Sequence, residues 1–217
     1  MKISVLQPKI IRGDIAYNLK AVGGLLNRCE GQLAVTGEYV LTGSLVLDRE
    51  AEPGKWAEKC SAALMRLNIP KGKTLLVNRL AADAGILYNE SVFLPEGGEQ
   101  RKCFPDETEL SKGVLPGKDF SLFTLGGRRF KVLICSDLRH IAELSTDGTD
   151  FLLFIFHFTK SNFGDVIERL IKLSVERGLP VAAASLSSDL NCGRSTFIDG
   201  GKVASLGDGG GILELEL

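Results

Sequence analysis

Three residues of types that could do covalent chemistry together are Glu38, Lys102 and Cys135. Cys135 lies in Arg129-Phe130-Lys131-Val132-Leu133-Ile134-Cys135-Ser136-Asp137-Leu138-Arg139. The residues before it are apolar and β-branched and read as a buried strand; those after it turn polar and read as the start of a short helix. That junction is the carboxyl end of a strand, where open α/β sheets place reactive groups. The positive end of a following helix can lower a thiol pKa, and the thiolate is the nucleophile. Taken alone, Cys135 reads equally as a small buried hydrophobe. Glu38 lies just past another strand, in Thr36-Gly37-Glu38-Tyr39-Val40-Leu41-Thr42-Gly43. A carboxylate at a buried strand end is poised for a raised pKa and base work, although a solvated loop glutamate would look the same. Lys102 ends the return strand of a hairpin, where a lysine is usually a solvated face residue.

The elements that must position these groups form a mixed α/β pattern. Lys2–Gln7, Gln32–Thr36 and Lys73–Asn78 read as strands. Asp14 is the expected N-cap of a helix through Cys29, and Pro53 to Leu67 reads as a second helix. Ile86–Leu94 and Glu99–Cys103 make the hairpin that delivers Lys102, and a loop is expected from Phe104 to Pro116. Phe120–Leu125, Arg128–Ile134, Phe151–Phe156 and Val181–Ser185 read as strands; Phe163–Arg177 reads as a helix with Val166, Leu170, Leu173 and Val175 toward the core. The tail, Arg194–Ile198, Lys202–Ser205 and Ile212–Leu217, reads as strands. No repeat or linker divides the chain, so one domain over 1–217 is expected, with two sheets packed face to face and helices outside.

Composition removes several classes of function. Lys plus Arg number 26 and Asp plus Glu 27, and a net charge of −1 gives no reason to expect nucleic acid or an anionic membrane as partner. No run approaches the ~18 apolar residues of a membrane span, and Met1-Lys2-Ile3-Ser4-Val5-Leu6 lacks the features of a signal peptide. Five widely spaced cysteines, an odd number, argue for reduced thiols and a cytoplasmic location. Gly72-Lys73-Thr74 has Leu67 where a phosphate-binding loop needs its first glycine, and it precedes a strand instead of following one. The two histidines, His140 and His157, and the cysteines show no zinc spacing, and a serine-hydrolase elbow is absent.

The order Glu38, Lys102, Cys135, each at or just past a strand end, resembles the nitrilase superfamily of carbon–nitrogen hydrolases. Gly37-Glu38 with Leu41-Thr42-Gly43 is similar to that family's glutamate block. Tyr88-Asn89-Glu90-Ser91 through Gly97-Gly98 and Arg101-Lys102 is similar to its lysine block. Leu115-Pro116-Gly117 and Leu133-Ile134-Cys135-Ser136-Asp137-Leu138-Arg139 are similar to its cysteine block, and Gly193-Arg194-Ser195 with Asp199-Gly200-Gly201 to its C-terminal strands. The chain departs from the pattern in being short around residues 45–75 and 140–165. It also has Ser136 where an aromatic is common, His140-Ile141-Ala142-Glu143 after Arg139, and Arg79 where a glycine is often found.

The resemblance implies an α-β-β-α sandwich of two packed mixed sheets with outer helices, and a homodimer. It implies a small-molecule amide as substrate, no metal and no organic cofactor. Glu38 would take the Cys135 proton, the thiolate would attack an amide carbon, and Lys102 with the Ser136 N–H would hold the oxyanion. A second glutamate after the lysine is also implied. Glu107 and Glu109 both fall in the window, and spacing to Pro116-Gly117 favours Glu109 as the residue that orients Lys102. Asp137 and Arg139 are expected to fix the turn. His140 and His157 are expected to be structural or substrate-lining. Two rival functions stay open: acyl transfer from the same thioester, and a catalytically silent relative that binds a small amide or a partner protein.

Overall fold

The structure, a computed structural model, describes residues 1–48 and 50–217, and of Val46 the backbone. In chain order the elements are β1 (Lys2–Gln7), α1 (Ile15–Leu26), β2 (Leu33–Thr36), a 3₁₀ turn (Gly43–Leu47), α2 (Pro53–Leu64), β3 (Thr74–Asp83), β4 (Ile86–Leu94), β5 (Glu99–Arg101), α3 (Glu107–Ser111), β6 (Phe123–Leu125) and β7 (Arg128–Ile134). A 3₁₀ segment (Cys135–Glu143), β8 (Phe151–Ile155), α4 (Phe163–Arg177), β9 (Val181–Ala184), β10 (Thr196–Asp199), β11 (Lys202–Ser205) and β12 (Gly211–Glu216) complete it.

The strands form two mixed six-stranded sheets, in the orders β12-β1-β2-β3-β4-β5 and β11-β10-β9-β8-β7-β6. Period-2 side chains explain how the sheets stack. Val132 and Ile134 of β7 face inward to Ile3, Val5, Val35 and Leu76 of the first sheet. Leu133 faces the other way and packs with Leu170 and Leu173 of α4. The first sheet is covered outside by Val22, Leu25 and Leu26 of α1 and Cys60 and Leu64 of α2. The result is the expected α-β-β-α sandwich. With both faces of β8 and β9 buried, these strands read as continuous apolar runs in the sequence, whereas β7 is so only over its last three residues, Val132, Leu133 and Ile134. No helix among the described residues is long and apolar enough to cross a membrane.

Three readings of the elements need correction. β3 runs to Asp83, well past Asn78, and pairs with β4 over its whole length. A charged Arg79 in mid-strand hides this from the apolar pattern, but Glu90 opposite it pairs with its guanidinium at 2.9 Å. The expected loop after Phe104 contains α3, which opens on a capping box of Asp106 and Glu109. In α4 the inward residues are Ile167, Leu170 and Leu173, whereas Val175 is exposed because it lies off that stripe.

Candidate active site

The carboxyl ends of the parallel strands β2, β7 and β8 meet where the two sheets touch. Gly37 makes that approach possible. A Cβ there would lie 2.8 Å from the Ser185 carbonyl carbon and 2.9 Å from the Phe156 carbonyl oxygen, closer than a side chain tolerates. The next residue, Glu38, donates its backbone N–H to Phe156 O at 3.3 Å, which ties the first sheet to the second. Tyr39 follows with φ +49, a left-handed conformation uncommon for an aromatic residue. Its N–H donates to Asn78 Oδ1 at 2.7 Å and its hydroxyl to Glu109 Oε1 at 2.7 Å.

Glu38, Lys102 and Glu109 form one buried cluster, each about 1% exposed or less. The Lys102 ammonium stands between the carboxylates, 3.0 Å from Glu38 Oε1 and 2.6 Å from Glu109 Oε2. Asn89 donates to both, at 2.8 Å to Glu38 Oε1 and 2.8 Å to Glu109 Oε1, and its own carbonyl accepts from Asn78. Glu109 reaches the cluster because α3 begins where it does: Asp106 caps the helix, and Glu109 Oε2 accepts the Asp106 N–H at 3.0 Å. Glu107, on the same short helix, is exposed. Gly117, in the segment that follows α3, accepts close contact with Arg101 O and donates to Lys102 O at 2.7 Å, so Leu115-Pro116-Gly117 braces the lysine strand.

Cys135 sits directly after β7 with φ +48, half-buried, its thiol against the Glu38 carboxylate. Non-glycine residues held in this backbone region concentrate at functional sites, because the surrounding structure must impose the strain. Asp137 imposes it here. Its two carboxylate oxygens accept the backbone N–H groups of Ile134 and Phe104, each at 2.8 Å, and so fasten the cysteine turn to the residue two beyond Lys102. Burial outweighs those hydrogen bonds and pushes the Asp137 carboxyl up to about 6. The Ser136 hydroxyl donates to Phe104 O, which leaves the Ser136 backbone amide as the part that could meet an oxyanion.

The electrostatics correct two expectations. The Cys135 thiol is not lowered by the helical turn. Burial and the Glu38 charge push it well up, with Lys102 opposing. Nor is Glu38 raised. Burial alone would raise it, but Lys102 and His157 together outweigh burial and hold the carboxyl below its ordinary range. Lys102 is lowered by burial and raised further by Glu38, Cys135 and Glu109, so it stays charged.

The structure therefore brings Glu38, Lys102, Glu109, Cys135 and Ser136 to one place and leaves Glu107 outside it. Sequence reasoning missed Tyr39 and Asn89 as members of the cluster, and it gave His157 only a structural or substrate-lining part, whereas its Nδ1 lies 2.8 Å from Glu38 Oε2. Glu109 could have been separated from Glu107 by the Asp106-x-x-Glu109 capping pattern, which fixes the helix start. His140 lies elsewhere, half-exposed and stacked on Phe104 at 3.9 Å.

Glu109→Gln is expected to lower kcat more than it raises KM, by roughly tenfold or more, because a Lys102 serving as oxyanion donor would act mainly on developing charge. Glu107→Gln is expected to leave both constants unchanged. Steady-state kinetics of the two variants checks this, and a crippled Glu107 variant would reverse the assignment.

No protein-family model and no curated protein matches the chain. Solved structures do. The chain is similar to the nitrilase-superfamily amidase of Nesterenkonia AN1, with TM-score 0.85 and 18% identity over 100% of this chain and 90% of that one. It is also similar to the glutamine-dependent NAD+ synthetase of Acinetobacter baumannii, with TM-score 0.80 and 18% identity over 98% of this chain and 44% of that one. The fold is that of the nitrilase superfamily, as the glutamate, lysine and cysteine blocks led us to expect. In a mutant of the Nesterenkonia amidase, acrylamide has added to the active-site cysteine, and in another structure of it the acetamide moiety of fluoroacetamide is bonded there.

Proposed function

We propose that this protein hydrolyses a carbon–nitrogen bond of a small amide through a thioester on Cys135. The observation that carries this reading is the Lys102 ammonium fixed between two buried carboxylates beside a strand-end cysteine. In the resting site the proton belongs on sulfur, since the thiol is pushed up and Glu38 is held down. Transfer of that proton to Glu38 must therefore accompany attack on the amide carbon, as negative charge passes to the carbonyl oxygen. Lys102 and the Ser136 N–H would hold that oxygen, each donor worth ~3 kcal/mol in typical cases. Glu38 then gives its proton to the leaving nitrogen, the C–N bond breaks, and an acyl thioester remains. Water, deprotonated by Glu38, attacks the thioester; the acid leaves and the proton returns to sulfur. Glu109 keeps Lys102 aimed. None of these steps needs a metal or an organic cofactor.

By the same resemblance, the working unit is a homodimer built of single 1–217 domains. The unbonded state of the five cysteines supports a reducing, cytoplasmic setting.

The test is ammonia release from a panel of small amides and nitriles. Acetamide and acrylamide belong in it, and so does glutamine, because a glutamine-dependent enzyme shares the fold. Saturable release from at least one amide is expected. No release from any of them, with a folded protein and a free Cys135, would favour the catalytically silent reading.

A further inference from the structure

Glu38 has two carboxylate oxygens, and the proposed chemistry accounts for the surroundings of only one. Oε1 accepts Lys102 and Asn89. Oε2 faces His157, which follows β8 on the opposite sheet, at 2.8 Å from Nδ1. Among the described residues neither of these two buried atoms makes a hydrogen bond of good geometry with any partner, so each is left facing the other. The imidazole ring lies nearly parallel to the Phe156 ring, at 11°, and its side chain is 20% exposed, so protons can reach it from solvent.

We propose that His157 is a positioning residue that holds the second oxygen of Glu38 and, through its own proton, sets how readily that carboxylate takes the Cys135 proton. The proposal rests on the reading of Glu38 as the base. The titratable groups around the pair are Lys102 after β5, Glu109 on α3, Tyr39 beside Glu38 and Cys135 after β7. Of these contacts the imidazole is the one whose charge ordinarily changes between about pH 5 and 8. When it is protonated, Glu38 stands between two cations, and accepting the thiol proton breaks an ion pair on each side. When the imidazole releases a proton to solvent from Nε2, Nδ1 keeps its proton and still faces Oε2. The carboxylate keeps its place but loses one of the charges that hold it down. Capture of an electrophile by Cys135 then becomes easier as pH rises through the His157 midpoint.

The experiment uses the full chain and needs no amide turnover, so its failure is distinct from failure of the amidase reading. The chain has only two histidines, which makes imidazole NMR direct, with His140→Asn assigning the signals. In Glu38→Gln the His157 midpoint is expected to lie below the wild-type one, because a neutral amide replaces the carboxylate 2.8 Å from Nδ1. Alkylation of Cys135 by iodoacetamide, followed by peptide mass, is expected to show a step of about fivefold or more at the wild-type His157 midpoint. The step should vanish in His157→Asn, which retains a donor near Nδ1 and cannot titrate, and should persist in His140→Asn. An unchanged His157 midpoint in Glu38→Gln overturns the proposal, as does a step that survives in His157→Asn. If His157→Asn does not fold, the NMR comparison decides alone.

Discussion

Cys135→Ser and Cys135→Ala are each expected to lower amide turnover by at least about 10⁴-fold, the scale seen when an essential nucleophile is removed. The fold should survive, because Cys135 is half-buried at a strand end and neither replacement enlarges a side chain. Serine is not a rescue. Its hydroxyl is far less acidic and less nucleophilic than a thiol, so proton transfer and attack on the amide carbon are both much harder. The other cysteines are expected to be dispensable for chemistry. Cys29, Cys60, Cys103 and Cys192 are buried, and burial pushes Cys60 and Cys103 up to about 12. Turnover with thermal melts on Cys135→Ala and Cys60→Ser separates the roles; wild-type rates in Cys135→Ala would end the mechanism.

Lys102→Met is the second large effect, and it should strike stability as well as rate. The methionine occupies a similar volume but leaves Glu38 and Glu109 facing each other without the cation between them. Breaking a buried pair by removing one partner costs about 3–5 kcal/mol, far more than an exposed pair is worth. Loss of the oxyanion donor should lower kcat by about 10²–10³ in the protein that still folds. The pH dependence gives this prediction a sign. Glu38 is held below its ordinary 4.5 in the folded state, so it contributes stability above that pH and loses it as pH falls through its folded value. In Lys102→Met the Lys102 share of that depression is removed, and the two carboxyls gain by taking up protons. The stability deficit of the variant should therefore be widest near neutral pH and narrow as pH falls below about 5. Urea melts at several pH values measure it; a deficit independent of pH would mean the cluster is not electrostatically coupled.

Much of this site was legible because its groups sit at strand ends, and strand ends show in the sequence as a change from apolar to polar residues. The step from Ile134 to Ser136 and the step from Thr36 to Glu38 are of this kind. The buried strands β8 and β9 were legible because they are apolar on both faces, and β7 by the apolar run that ends it, Val132, Leu133 and Ile134. The two-layer sandwich came with them, since unbroken apolar strands require cover on both sides. What was not legible depends on contacts between distant segments. His157 lies beyond a different strand, in a different sheet, from Glu38; only the close approach at Gly37 brings them together. The depressed Glu38 carboxyl follows from the same packing, because local sequence shows the strand end and not the two basic groups across from it. The raised thiol likewise reflects burial between layers instead of the short helical turn. Arg79 misled in a simpler way: a charge inside a strand looks like an ending until its partner Glu90 is seen on the neighbouring strand.

The central claim is a covalent acyl intermediate on one thiol. It is tested most directly by intact-mass measurement of the full chain, acid-quenched within the first turnovers of an amide that it consumes, followed by peptide mapping. The account predicts a mass increase equal to the acyl group, located on the peptide containing Cys135, appearing with the release of ammonia and absent in Cys135→Ala. Ammonia release at the wild-type rate with no acyl adduct on Cys135, or an adduct on another cysteine, would contradict it.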